Sequence, residues 1–163
     1  MFDPITYTGF HTWLSLVALL SGIVVAAGLV RGQTMPAMTA LFLVTAIATN
    51  VTGFGFPFAH LLPSHIIGAI SLVVLAVALL ARYAFHLRGA WRWIYVVAAM
   101  LALYFDAFVA VAQAFMKIPV LHALAPTGSE PSFAVSQLVV LVLFAALGVA
   151  AVRAFRPSGI ATA

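Results

Sequence analysis

Residues 10–30, FHTWLSLVALLSGIVVAAGLV, form a run of 21 residues that contains no Asp, Glu, Lys, Arg or Pro. An α-helix advances about 1.5 Å per residue, so roughly 20 apolar residues cross the hydrocarbon core of a bilayer, which is about 30 Å thick. The length of this run and its lack of charge therefore predict a transmembrane helix.

Four further runs along the chain have the same character. They cover residues 36–56, 65–85, 91–116 and 133–152. Of the 163 residues, 66% are hydrophobic and only 6% are charged, and a soluble globule of this size could not bury so much apolar surface. The sequence therefore predicts an all-α integral membrane protein, in which residues 1–163 form a single domain with a bundle of about five transmembrane helices.

The basic residues are distributed unequally between the two ends of the predicted bundle. One end has six arginines, Arg31, Arg82, Arg88, Arg92, Arg153 and Arg156, whereas the opposite end has only Lys117. Basic residues concentrate on the cytoplasmic side of membrane proteins. This bias predicts a multi-pass protein of the inner (plasma) membrane with its N-terminus outside and its C-terminus in the cytoplasm. The same distribution accounts for the basic net charge, because the arginines lie where the predicted helices meet the surface of the lipid bilayer. No nucleic-acid partner is therefore expected.

The stretch Thr52-Gly53-Phe54-Gly55-Phe56 has a superficial similarity to the selectivity filter of potassium channels. A filter has one residue between its threonine and its first glycine, whereas Gly53 follows Thr52 directly. The apolar run before it is also long enough to span the membrane, unlike a half-length pore helix. The glycines and Pro57 instead predict that the helix ends here in an aromatic turn at the membrane interface.

Three polar residues lie inside the predicted spans, where an ionisable group costs about 2.5 to 3.5 kcal/mol on insertion scales. Asp106 is the only carboxyl among them; Asn50 lies at a similar depth, and Gln113 lies seven residues after Asp106 on the same helical face. Asn50 and Gln113 suit hydrogen bonds between packed helices. Asp106 could equally pack in this way, relay protons or balance a cation.

Four of the five histidines map to the predicted outer end. His11 and His65 each begin an inward-running span, so their imidazoles are expected at about the same depth. Two imidazoles at one level are the minimum for an outer haem or a divalent metal ion, and we expect His60, His122 and Glu130 to be the further donors available there. A single interfacial histidine more commonly forms surface hydrogen bonds, so both interpretations stay open.

The order of these residues suggests an internal repeat. His11 precedes Asn50 by 39 residues, and His65 precedes Asp106 by 41. Two hairpins related by an axis along the membrane normal would bring His11 and His65 across that axis and Asn50 near Asp106. Chance similarity between apolar helices would give the same intervals.

Three classes of function fit the sequence. The leading interpretation is a non-catalytic subunit or accessory protein of a larger membrane assembly, whose partners are other membrane subunits or further copies of itself. The alternatives are an electron-transfer protein with haem or metal on His11 and His65, and a small oligomeric transporter or channel with Asp106 in a polar path. An enzyme is disfavoured, because no cysteine is present and the longest connection is too short for a catalytic domain.

Overall fold

The computed structural model describes residues 3–57 and 63–156, which fold into helices joined by turns, without a strand in these two ranges. The helices are α1 (Tyr7–Val30), α2 (Pro36–Gly53), α3 (Pro63–Leu79), α4 (Trp91–Lys117), α5 (Pro119–Leu124) and α6 (Pro131–Ala154). A π-helical turn, Leu80–Ala84, continues α3. In the described ranges, five helices are long and apolar enough to cross a membrane, which confirms the predicted bundle of five apolar helices.

Local hydrogen bonds set helix ends that differ from the predicted ones. The Thr6 side chain accepts the Gly9 N–H at 3.1 Å, so α1 begins three residues earlier than predicted. The N–H groups of Phe54 and Gly55 bond to carbonyls three residues back, and α2 ends at Gly53, before the predicted end at Phe56. The short helix α5 was not predicted, because six residues give no measurable apolar period.

The first four long helices form a ring in chain order. Each of α1, α2, α3 and α4 packs along its neighbours in sequence, and α4 closes the ring against α1. In the described ranges α1 does not pack along α3, nor α2 along α4, so these pairs occupy opposite corners of the ring. The last long helix, α6, lies outside the ring against both α1 and α4. The alternating direction and short connections are those of an up-and-down helical bundle.

The half of the ring nearer the arginines, called the arginine half below, contains a closely packed core. Tyr95, Phe42 and Leu103 each have at most 2% of their surface exposed. The Tyr95 hydroxyl donates to Thr39 Oγ1 at 3.4 Å, and the Arg82 guanidinium lies 5.4 Å from the Tyr95 ring centroid. The Tyr95 hydroxyl is therefore paired, and the space between the helices of this core is filled. The opposite half of the ring, which contains the start of α1 and the ends of α2 and α4, is called the N-terminal half.

The arginine end of the bundle is closed by a compact turn between α3 and α4. His86 and Leu87 have positive φ angles of 51° and 58°, and the Leu87 N–H bonds to the Ala81 carbonyl at 2.9 Å. The Phe85 and Trp91 rings stack at 3.9 Å between centroids. These contacts hold α3 and α4 together where the π-helical turn ends.

Candidate functional site

The N-terminal half of α4 is packed less closely than its arginine half. None of residues 104–114 is fully buried, although none is fully exposed either. Asp106 lies in this segment, and its Oδ2 atom is buried without a hydrogen-bond partner among the described residues. An unpaired carboxylate oxygen in a low-dielectric interior is costly, so a proton or a cation at this position would stabilise the group.

Three more buried polar atoms lack a hydrogen-bond partner in the part of the chain that the structure describes. They are Thr49 Oγ1 on α2, Ser71 Oγ on α3 and Gln137 Oε1 on α6. Hydroxyls within helices commonly bond to the carbonyl four residues earlier, as Thr45 does with Leu41 at 2.7 Å. Because buried polar atoms in native proteins are nearly always paired, four such atoms on four helices mark this region as a candidate binding site.

A hydrogen bond in the arginine half fixes the relative register of α2 and α4. The Tyr95 hydroxyl of α4 donates to Thr39 Oγ1 of α2. Eleven residues towards the N-terminal end from Thr39 and Tyr95 are Asn50 and Asp106.

In an α-helix eleven residues correspond to about three turns, so Asn50 and Asp106 repeat the faces of Thr39 and Tyr95 about 16 Å further along α2 and α4. The register therefore places Asn50 and Asp106 at about one level, facing the interior of the ring.

A contact between α2 and α3 places Ser71 near the same level. A Cβ atom built on Gly68 would lie 3.6 Å from Asn50 Oδ1, and Gly68 is one helical turn before Ser71. Asn50 donates through Nδ2 to the Ala46 carbonyl at 2.8 Å. We call Thr49, Asn50, Ser71 and Asp106 the polar layer.

Gln137 lies at a similar level but outside the ring. Its Nε2 donates to the Phe108 carbonyl at 3.1 Å, which joins α6 to α4. Phe108 follows Asp106 by two residues, so the two side chains point to opposite sides of α4. Gln113, by contrast, is half-buried on the Asp106 face of α4, two turns nearer the N-terminal end.

The turn after α2 contacts both predicted histidine ligands. The His11 ring contacts Phe56 edge to face at 5.1 Å between centroids, and the buried His65 ring lies 5.7 Å from Phe54. Each histidine thus packs against a different phenylalanine of the turn that follows Gly53. The structure confirms that this stretch ends a helix.

His11 is also fixed by a hydrogen bond to α2. Its Nδ1 lies 2.9 Å from Thr52 Oγ1, and the Thr52 hydroxyl itself donates to the Ala48 carbonyl at 2.7 Å. The hydroxyl oxygen is then the acceptor, so His11 Nδ1 carries the proton. The Tyr7 hydroxyl donates to the Thr52 carbonyl at 2.6 Å, which completes the attachment of α1 to the end of α2.

In the described ranges, neither His122 nor Glu130 forms a donor cluster with these histidines. His122 is exposed on α5, and His60 lies outside the described residues. Both Glu130 oxygens accept hydrogen bonds within their own turn, from the Thr127 N–H and hydroxyl and from the Ser129 N–H, and these bonds lower the pKa of the Glu130 carboxyl, with the Thr127 N–H the largest cause. Within the described ranges, no three His, Asp or Glu side chains come close enough to hold a metal ion.

Sequence reasoning identified Asp106 and Asn50 but missed Thr49, Ser71 and Gln137. A serine or threonine in an apolar helix carries no signal of its own, because it usually bonds to its own backbone. Gln137 did carry a signal, since an amide inside a transmembrane run needs a partner.

Comparison with protein-family models, with curated proteins and with solved structures finds no match to this chain.

Proposed function

We propose that this protein is a small membrane carrier that takes up a proton or a small monovalent cation on Asp106. The observation that carries the proposal is the buried and unpaired Oδ2 of Asp106, which lies at the level of further unpaired hydroxyl oxygens. A carboxyl group can accept a proton, and carboxylate, hydroxyl and amide oxygens together are suitable ligands for a hard cation.

The packing of the two halves suggests from which side the ion enters. On the arginine side of the polar layer, Phe42, Tyr95 and Leu103 fill the ring almost completely. On the opposite side, residues 104–114 of α4 are only partly buried. We therefore propose entry from the N-terminal end, with the packed core as the closed gate of this conformation.

The direction of uptake follows from the proposed orientation. The six arginines at one end and the single Lys117 at the other favour a cytoplasmic arginine end in the inner membrane. In this orientation the polar layer is filled from outside the cell. Transport then requires that the contacts between Tyr95, Thr39 and Arg82 open in a second conformation.

The test is a flux measurement on purified protein in liposomes that contain a pH-sensitive dye. A potassium diffusion potential drives proton uptake; in a parallel assay a sodium gradient drives uptake, and a sodium-sensitive dye replaces the pH-sensitive one. Asp106→Asn removes the titratable group at nearly constant volume, and we expect it to lower the flux at least about tenfold. Asp3→Asn is the matched control, because it makes the same chemical change on an exposed carboxyl and should leave the flux unchanged.

Equal flux in wild type and Asp106→Asn would remove Asp106 from the mechanism. Wild-type flux no greater than that of empty liposomes would overturn the carrier proposal.

The accessory-subunit interpretation would then become the leading one, since α6 is the least buried of the five long helices and offers its outer face to a partner. Its test is recovery of a defined membrane complex from the native host. The haem or metal interpretation has no support from the described geometry.

A further inference from the structure

We infer that the groove between α4 and α6 is a binding site for one acyl chain of an anionic phospholipid, with the lipid phosphate on Arg153. The groove has a volume of about 450 Å³, and its lining includes Leu101, Tyr104, Phe144, Gly148, Val149 and Arg153. Apart from Arg153, these side chains are apolar or aromatic. This site is separate from the polar layer, and the inference does not depend on the proposed carrier function.

The length of the groove fits an acyl chain in one leaflet. Along α6 it extends from Leu141 to Arg153, which at 1.5 Å per residue is about 18 Å. Half of the bilayer hydrocarbon is about 15 Å thick. A chain that begins at the level of Arg153 would therefore end near the middle of the membrane, beside Tyr104.

Gly148 produces the depth of the groove at its centre. A Cβ atom at this position would meet no other atom within 4 Å, so the backbone of α6 is open to the groove here. A lipid tail could therefore lie closer to α6 at Gly148 than it could beside a larger residue. This open position also means that a larger side chain would fill the groove without disturbing the helix packing.

The charge at the mouth of the groove favours an anionic headgroup. Arg153 is exposed and forms no hydrogen bond to the described residues, whereas Arg92 is already bound to the carbonyls of Val152 and Phe155. The guanidinium geometry matches a phosphate. The chain has three acidic residues, Asp3, Asp106 and Glu130, and none of them lies at the arginine end to compete for Arg153.

Native mass spectrometry after exchange into an equimolar mixture of phosphatidylglycerol and phosphatidylcholine tests the inference. We expect the wild type to retain one phosphatidylglycerol in preference to phosphatidylcholine, and Arg153→Gln to lower this preference about fivefold, the usual contribution of one basic residue near an anionic lipid. Gly148→Leu should lower retention of both lipids, because the leucine occupies the position of the tail.

Two matched variants distinguish a defined site from general attraction. Arg156→Gln removes the same charge from an arginine that does not line the groove, and Ala134→Leu adds volume at an exposed position of α6 outside it. Both should bind phosphatidylglycerol as the wild type does. Equal retention of the two lipids by the wild type, equal effects of Arg153→Gln and Arg156→Gln, or unchanged retention in Gly148→Leu would each overturn the inference.

Discussion

The arginine half and the N-terminal half of the ring use the same four helices but are packed differently. In the arginine half, Phe42 and Tyr95 have at most 1% of their surface exposed, and the Tyr95 hydroxyl is bonded. In the N-terminal half, residues 104–114 of α4 are all partly buried, and polar atoms of Asp106 and Ser71 lack partners. Close packing and unpaired polar atoms are thus found in different halves of one bundle.

The largest expected difference between the halves concerns two phenylalanines. Phe42→Ala should lower the free energy of unfolding in the membrane by about 3 kcal/mol, which is the lower end of the range for a cavity of this size. The value is low because a phenylalanine side chain gains little by leaving lipid for the protein interior, so that the loss comes mainly from packing contacts. Phe108→Ala, in the partly buried segment, should cost about 1 kcal/mol or less. Steric trapping of the two variants in bicelles measures both values, and equal losses would refute the contrast in packing.

Two glycines give a smaller contrast with the same substitution. A Cβ on Gly22 would overlap the Leu103 side chain and lie 2.9 Å from the Phe42 ring, whereas a Cβ on Gly68 makes ordinary contacts of 3.5 Å with Phe54. Gly22→Ala should therefore cost about 2 kcal/mol, and Gly68→Ala should be neutral or slightly stabilising. Thermal denaturation in detergent ranks the two variants. A tolerated Gly22→Ala would show that the core of the arginine half can expand.

Replacement of the buried carboxyl should act in the opposite direction. Asp106→Leu removes an unpaired polar atom from the interior, so we expect the free energy of unfolding to rise by about 1 kcal/mol while ion uptake is lost. Denaturation and flux measured on the same preparation test both parts. A destabilised Asp106→Leu variant would mean that the carboxyl contributes to packing, as the sequence alone also allowed.

The smallest effect concerns the turn before α6, at the N-terminal end of the bundle. The Glu130 pKa is lowered in the folded protein, chiefly by the Thr127 N–H, so the turn is stabilised above the ordinary glutamate pKa of about 4.3 and loses this contribution as the pH falls through the lowered value. The amide shifts of Thr127 and Ser129 should follow this titration by NMR. In Glu130→Gln they should be insensitive to pH over the same range.

The sequence predicted the five long helices because apolar length alone decides whether a helix can cross a bilayer. It could not predict the π-helical turn at Leu80–Ala84 or α5, since both depend on local hydrogen bonds that leave no apolar period.

For the site, the sequence singled out Asp106 by its cost in the membrane. Ser71 could not be found in this way, because its position near Asn50 arises from the packing of α3 against α2 and not from any local pattern. The sequence placed His11 and His65 at one level, and this stays a prediction. It could not predict that each of them packs against a different phenylalanine of the turn after α2, because these contacts depend on the fold of the turn.

The attachment of α6 has a consequence for how the protein is made. This helix is bonded near one end through Gln137 to the Phe108 carbonyl, and at its other end Arg92 binds the Phe155 carbonyl. Because synthesis proceeds from the N-terminus, α6 leaves the ribosome after the four helices of the ring. Both acceptors are main-chain oxygens, which every residue type provides. The helix α6 can therefore dock in a fixed register on a ring that is already inserted. Neither bond restricts which side chains evolution can place at positions 108 and 155.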